Sequence, residues 1–112
     1  MPDEKEKVST ETKREEVMDA LRAVTDPEIG ISVIDLGLIY GVEIDDKAKA
    51  CRVKMTLTSR GCPAGGQIMA GVEHVARAAS GLKDVKVELV WEPPWDPRIH
   101  ASEDGKFLLG II

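Results

Sequence analysis

The chain has 112 residues, 43% of them hydrophobic and 31% charged, and carries a formal net charge of −5 at pH 7. This length fits one domain with one core, and the negative charge argues against a nucleic acid as partner because a phosphate backbone would be repelled. The sequence has neither a run of about 18 apolar residues nor an apolar N-terminal signal region, so we expect a cytoplasmic protein that does not cross a membrane.

The N-terminal part is predicted to form one helix behind a disordered arm. Residues 1–11 alternate acidic and basic side chains with almost no apolar ones, which is typical of a segment that stays disordered. Thr12 followed by Glu15 matches the capping box of a helix start, and apolar residues then recur at helical spacing. The helix is predicted over residues 13–24 and ends before Pro27, because the residue before a proline is pushed out of helical geometry.

The next segment is predicted to be a structured loop that leads into a hairpin. Glycines and polar residues punctuate the apolar residues of the segment 29–41, which indicates a loop. A strand follows, with one face formed by Tyr40, Val42 and Ile44. After a polar turn at residues 45–47, apolar and polar side chains alternate as far as Leu57, so one face of the hairpin is predicted to be buried.

A second helix and a third strand follow the hairpin. The helix begins after residues 58–61 and is predicted to end at Gly81. Its apolar stripe consists of Ile68, Val72, Val75, Ala76 and Ala79. Alternation from Val85 to Trp91 predicts the strand, and the strand–helix–strand order predicts that it runs parallel to the second strand of the hairpin.

The C-terminal tail is rich in proline and is predicted to end in a short helix that starts at Ser102. The apolar side chains expected to pack on the body of the protein are Phe107, Leu108 and Ile111; the alternative is that this apolar end packs on a neighbouring subunit. All elements together predict a small single α/β (α+β) domain over residues 12–112. Its order is helix–hairpin–helix–strand, with a three-stranded mixed sheet and a short C-terminal helix.

Cys62 is the residue whose local sequence most favours chemistry. Pro63 follows it, and because proline is favoured at the first helical position, Cys62 is predicted to be the N-cap of the second helix. A thiol there faces exposed amide donors and the positive end of the helix dipole, which favour the thiolate that binds metal or attacks an electrophile. The alternative is a buried structural cysteine.

Cys51 is predicted to be an ordinary packed or half-exposed residue. It begins the strand that precedes Cys62, and at about 3.3 Å per residue the two thiols stand about 23 Å apart. This separation excludes a disulfide between them, since a disulfide needs α-carbons within about 7 Å. Both are therefore expected to be free thiols, and they cannot bind one cluster within one chain.

Three carboxylates lie in predicted loops. Asp26, Glu28 and Asp35 could act as metal ligands, as general bases or as hydrogen-bond acceptors that tie the loops. The alternative is that these carboxylates only form hydrogen bonds within turns and helix caps. His74 and His100 are predicted to be solvated, because no zinc-type spacing joins them to a cysteine.

The segment Trp91–Pro97 contains two tryptophans and three prolines. It is predicted either to form a rigid cover over one end of the sheet or to be a docking strip for a partner. The candidate docking residues are Trp91, Pro94 and Trp95.

Four motifs stand in a characteristic order: Asp26-Pro27-Glu28, Asp35-Leu36-Gly37-Leu38-Ile39-Tyr40, Thr56-Leu57-Thr58-Ser59-Arg60-Gly61-Cys62-Pro63 and Trp91-Glu92-Pro93-Pro94-Trp95. With them, residues 14–110 resemble the metal–sulfur cluster biosynthetic family that includes the SufT-like and PaaD-like proteins. The resemblance implies a compact α/β domain and a role in maturing iron–sulfur proteins, as an adaptor or carrier rather than an enzyme.

The resemblance also implies roles for single residues. The functional cysteine of the family falls on Cys62, its acidic motif on Asp26 and Glu28, its second acidic position on Asp35 and its threonine before the cysteine loop on Thr58. The sequence departs from the family pattern at Arg60, where proline is common, and at Ala64-Gly65-Gly66, where bulkier residues are expected. These departures are expected to loosen the start of the helix.

Clusters are usually held by four cysteine thiolates, and this chain offers one credible ligand, Cys62. A homodimer bridged through two Cys62 residues, the cysteines of a partner or a small thiol could complete the shell, so any bound iron–sulfur cluster is predicted to be labile and transferable. The expected partners are iron–sulfur assembly proteins and client apoproteins, and we favour a homodimer.

Two alternative functions remain at this point. In the first, the chain is a thiol enzyme in which Cys62 is the nucleophile and Asp26, Glu28 or Asp35 moves the proton. In the second, it is a pure interaction module that serves one client, such as a multicomponent oxygenase, and Cys62 is merely packed.

Overall fold

A computed structural model describes the backbone of residues 4–112 and the side chains from residue 10 onward. The helices are α1 (Glu4–Ala20), α2 (Val33–Leu36), α3 (Gly65–Ser80), α4 (Pro97–His100) and α5 (Glu103–Leu109), and a 3-10 turn over Leu21–Ala23 follows α1. The strands are β1 (Ile39–Asp45), β2 (Ala50–Met55) and β3 (Asp84–Leu89). No helix within this described part is long and apolar enough to cross a membrane.

Strand β2 lies at the centre of a three-stranded mixed sheet. It pairs with β1 antiparallel and with β3 parallel, as the alternation and the strand–helix–strand order predicted. Helices α1 and α3 contact each other, and they pack against the sheet over β1 and over β2 and β3. The buried residues of β2, which are Cys51, Val53 and Met55, are at the centre of the core between these layers. The predicted fold class is therefore confirmed.

Helix α1 begins at Glu4, so the start predicted at residue 13 from the capping box is wrong. The predicted disordered arm over residues 1–11 lies partly outside the described residues, and over residues 4–11 the backbone is helical instead. The helix is tied to the sheet at residues 10–13: Thr10 Oγ1 and Lys13 Nζ each donate a 2.8 Å hydrogen bond to the carboxylate of Asp46 in the β1–β2 turn. These two bonds lower the pKa of Asp46 below its usual value.

The face predicted for β1 is wrong in one residue. The register of β1 against β2 shifts between Ile39 and Gly41. The extra residue at such a bulge inverts the alternation of side chains. Ile39 therefore packs on the core together with Val42, whereas Tyr40 turns to the C-terminal tail, where its hydroxyl donates a 2.9 Å hydrogen bond to the carbonyl of Pro93.

The C-terminal tail docks on α2 through two glycines. A Cβ built on Gly37, which has φ +76°, would lie 2.0 Å from the carbonyl oxygen of His100, and one built on Gly105 would lie 2.1 Å from that of Asp35. Side chains at these positions would therefore keep the backbones apart. Close backbone contact therefore accompanies the apolar packing of Ala101 and Leu109 where α4 and α5 meet the domain.

The packing predicted for the last helix is wrong, although its start at Ser102 is confirmed. Phe107 is 71% exposed, Leu108 is 60% exposed, and Ile111 is also exposed. Helical geometry explains the exposure of Phe107: Gly105 faces Asp35, and a residue two positions further along a helix points to the opposite side. Helix α4, which precedes α5, was not predicted.

We expect Gly105→Ala to lower the free energy of unfolding by about 1–3 kcal/mol, because the new methyl group would overlap a backbone carbonyl that cannot rotate away. Gly66→Ala in α3 is the matched control. A Cβ at Gly66 meets no atom within 4 Å, and alanine is the better helix former, so this variant should be equally or slightly more stable. Urea unfolding measures both, and equal stability of the two variants would contradict the docking of α5 by backbone contact.

Candidate functional site

Cys62 lies in a short loop of turns before α3 and is not the N-cap of that helix, so the predicted cap is wrong. The N-cap is Ala64, and the carbonyl of Cys62 accepts a 3.1 Å hydrogen bond from the amide of Gly65, which closes a turn over Pro63. Gly65, the first residue of the helix, is buried, and a Cβ there would lie 2.8 Å from Leu57 Cδ1. The backbone therefore comes close to the core where the helix begins.

The two cysteines occupy opposite environments. Cys51 is 1% exposed in the central strand, and burial raises the pKa of its thiol. Cys62 is half-buried: it packs on the edge of the core and keeps part of its surface in solvent. Both are free thiols, which confirms that they do not pair and that Cys51 is a packed residue. Cys62 is therefore the thiol that a ligand or reagent can reach.

Arg60 connects the loop of Cys62 to the C-terminal tail. Its guanidinium carbon lies 4.6 Å from the centre of a Trp91 ring, within the distance of a cation–π contact. The sequence marked Arg60 only as a departure that loosens the helix start. In the structure, this residue instead contributes a contact that a proline could not make.

Asp35 ties the tail to α2. Its carboxylate accepts a 2.8 Å hydrogen bond from the Ser102 hydroxyl, and its carbonyl accepts one of 2.9 Å from the Ser102 amide. The guanidinium of Arg22 lies 3.8 Å from the same carboxylate oxygen. Ser102 in turn caps α5 by accepting a bond from Gly105. Among the interpretations open for Asp35, the contacts support a hydrogen-bond acceptor that ties a loop.

Asp26 closes its own loop. It is 2% exposed, and its Oδ1 accepts a 2.9 Å hydrogen bond from the amide of Glu28. Its amide donates to the carbonyl of Ile31, and its carbonyl accepts from the amide of Gly30, so the chain returns on itself. Glu28 points into solvent at the tip of the loop. The carboxylate of the motif that remains accessible is therefore that of Glu28.

The threonines before the cysteine loop differ in burial. Thr58 is half-buried, whereas Thr56 is 1% exposed and its Oγ1 has no hydrogen-bond partner among the described residues. A buried hydroxyl without a partner is costly. Sequence analysis did not single out Thr56, because the alternation of the strand placed it on the polar face.

The segment Trp91–Pro97 covers the end of the sheet. Trp91 and Trp95 both pack against the core, and Trp95 Nε1 donates a 2.7 Å hydrogen bond to the carbonyl of Leu36. Pro94 is exposed. These contacts support the interpretation of the segment as a rigid cover, and docking of a partner through Trp91, Pro94 and Trp95 stays a prediction.

Of the two histidines, His74 is solvated as predicted and His100 is not. The ring of His100 lies 5.2 Å from that of Tyr40, and its Nδ1 is 2.9 Å from the amide of Asp96. Within the described residues, no group of three or more histidine, cysteine, aspartate or glutamate side chains could hold a metal ion.

The tail brings two of the predicted site regions into one connected unit. At one end, Ser102 and Trp95 attach it to Asp35 and Leu36 of α2. At the other end, Trp91 contacts Arg60 in the loop of Cys62. The acidic position and the cysteine loop, which are far apart in sequence, are thus joined by a third segment.

Comparison with known proteins gives a consistent result. The model of the family described as "Iron-sulfur cluster assembly protein" matches residues 14–89. The chain is 44% identical over 88 residues to the Fe-S protein maturation auxiliary factor SufT of Staphylococcus aureus (strain USA300), covering 79% of this chain and 98% of that protein. It is 40% identical over 101 residues to the Fe-S protein maturation auxiliary factor YitW of Bacillus subtilis (strain 168), covering 90% and 97%.

The fold also matches a solved structure. The crystal structure of a domain of unknown function, DUF59, from Bacillus anthracis superposes with a TM-score of 0.85 at 36% identity. The superposition covers 95% of this chain and 99% of that one. The similarity therefore extends over almost the whole domain.

A double-mutant cycle tests the bond between Asp35 and Ser102. Ser102→Ala removes a helix cap and should lower the free energy of unfolding by about 1 kcal/mol, and Asp35→Ala by about 1–3 kcal/mol. The double variant should lose less free energy of unfolding than the sum of the two single losses, because both substitutions remove the same bond. Asp19→Ala is the control, since Asp19 is exposed and its one ion pair among the described side chains, with Arg22, is 3.7 Å long. Additive losses in urea unfolding would exclude this bond.

We expect iodoacetamide to alkylate Cys62 in the folded protein and Cys51 only after denaturation. The physical reason is access and ionisation, because the reactive species is the exposed thiolate and Cys51 is buried with a raised pKa. Peptide mass spectrometry with and without urea measures the two sites separately. Protection of Cys62 until urea is added would identify it as a packed structural cysteine.

Proposed function

This chain belongs to the iron–sulfur cluster assembly protein family, and on that premise we propose that it is an accessory factor that assembles or delivers iron–sulfur clusters through Cys62. Its relatives SufT and YitW bear the names of maturation auxiliary factors. The proposed role is that of a carrier or adaptor rather than an enzyme. The cluster is its cargo, not a resident cofactor.

The observation that carries this proposal is the contrast between the two thiols. Cys62 lies in a surface turn inside the region matched by the family model, whereas Cys51 is buried in the central strand. Thiolates are the usual protein ligands of iron–sulfur clusters. The accessible thiol is thus the one that can take a cluster from a donor and release it.

The number of ligands determines how the cargo would be held. The chain has two cysteines, and one of them is sequestered in the core. A cluster with four cysteine ligands therefore needs thiols from outside the chain. These come from a second copy, an assembly protein or a client apoprotein. A cluster held by one thiolate of this chain is easily transferred, as a carrier requires.

The remaining site residues have two proposed roles, which are to hold the loops of the site in place and to contact other proteins. We propose that Asp26 and Asp35 keep their loops in place, because both carboxylates already accept hydrogen bonds within the chain. Exposed Glu28 and Pro94 are free to contact assembly proteins or clients. Thr58 lies at the start of the cysteine loop, where it supports the path of the chain.

The alternative of a thiol enzyme has less support from its candidate bases, of which Glu28 points into solvent at the tip of its own loop. His74 is solvated on α3, and His100 is engaged with Tyr40 and Asp96 in the tail. Asp26 and Asp35, which could move a proton, are engaged in hydrogen bonds of their own. The arrangement supports a ligand better than a nucleophile that needs a base beside it.

Anaerobic reconstitution with iron and sulfide tests the proposal. We expect the wild type to bind iron and sulfide with visible absorbance, and Cys62→Ser to lose most of both, because a serine hydroxyl is a poor replacement for a thiolate. Cys51→Ala is the matched control and should bind as much as the wild type. Elution volume reports whether loading joins two chains.

Equal iron in the wild type and in Cys62→Ser, or none in either, would contradict cluster binding through Cys62. The second step is transfer to an apoferredoxin, followed by circular dichroism of the ferredoxin cluster. Loaded wild type should transfer its cluster faster than free iron and sulfide assemble one. Equal rates would argue against a carrier.

A further inference from the structure

Trp91 is a firmly held element at the end of the sheet. It follows Val90, whose amide donates a 2.8 Å hydrogen bond to the carbonyl of Met55 at the end of β2. Its ring is half-buried and packs against the core. The guanidinium of the exposed Arg60 lies 4.6 Å above this ring. A mobile, charged side chain is thus placed on a fixed aromatic surface.

Arg60 belongs to the same turn as Cys62. The amide of Cys62 donates a 3.3 Å hydrogen bond to the carbonyl of Ser59, so the turn spans Ser59 to Cys62 with Arg60 and Gly61 at its corner. That bond is long, and a Cβ at Gly61 would meet no atom within 4 Å. The corner of the turn therefore has little packing of its own, and the contact with Trp91 anchors it.

We propose that Arg60 and Trp91 form a tether that restrains the cysteine turn and limits the exposure of the Cys62 thiol. Arg60 is a positioning residue: it acts on Cys62 through the backbone of the turn. The purpose of this restraint rests on the proposed function, since a carrier needs its ligand held in place and protected between partners. The restraint itself does not depend on iron.

The tether acts by geometry rather than by charge. Loss of the contact lets the turn open more often, which raises the rate at which a reagent reaches the thiol. An effect of the Arg60 charge would instead change the pH at which the thiolate forms. The two mechanisms are separated by the pH profile of alkylation, because opening changes the plateau rate at high pH and charge changes the midpoint.

The experiment measures the iodoacetamide rate at Cys62 against pH in wild type, Arg60→Ala, Trp91→Leu and the double variant, without iron. A cation–π contact at an exposed site predicts a plateau about two- to fivefold higher in Arg60→Ala, with an unchanged midpoint. The double variant should react no faster than Trp91→Leu. Arg98→Ala is the matched control, since Arg98 is another exposed arginine outside this turn.

An unchanged plateau in Arg60→Ala, a shifted midpoint alone, or additive effects in the double variant would each overturn the tether. Alkylation of Cys51 in the same samples reports unfolding. If Cys51 becomes alkylated in Trp91→Leu, that variant is partly unfolded and its rates are set aside. The tether is then tested by comparing Arg60→Ala with Arg98→Ala, because both replace exposed side chains. Failure of iron binding in the wild type would leave the alkylation result standing, so the tether and the proposed function can fail separately.

Discussion

The attachment of the C-terminal tail to α2 is the constraint on which the arrangement of the site depends. The hydroxyl and amide of Ser102 both bond to Asp35, and the two backbones approach so closely at Gly37 and at Gly105 of the tail that neither position has room for a side chain. This contact is made by backbone and polar groups, and its geometry is therefore directional. It sets the path of the tail back to the sheet end.

The same tail brings the motif rich in tryptophan and proline next to the cysteine turn, although the two are far apart in sequence. Trp95 bonds to Leu36, and Trp91 supports Arg60, so the segment spans from the acidic position to the cysteine turn. The rings of Trp91 and Trp95 pack against the core of the domain. Glu28 and Pro94 are exposed, and Cys62 keeps part of its surface in solvent.

The fold also sorts the two thiols. Cys51 lies in the central strand. The helices packed on the sheet and the strands on both sides of β2 remove it from solvent. Cys62 lies where the chain leaves the sheet and has not yet entered α3. A thiol that receives and releases a cluster must be accessible, as Cys62 is. A buried thiol such as that of Cys51 is chemically inert.

The sequence by itself determined the strands β2 and β3, the apolar stripe of α3 and the parallel crossover, because alternation, helical periodicity and turn residues are local properties. Only the tertiary structure decided the rest. The attachment of α1 to the sheet depends on a bond to Asp46, the outward turn of Tyr40 on a bulge, and the exposure of Phe107 on the docking of Gly105. Each of these joins residues distant in sequence, and the pairing of distant residues leaves no periodic pattern in either segment.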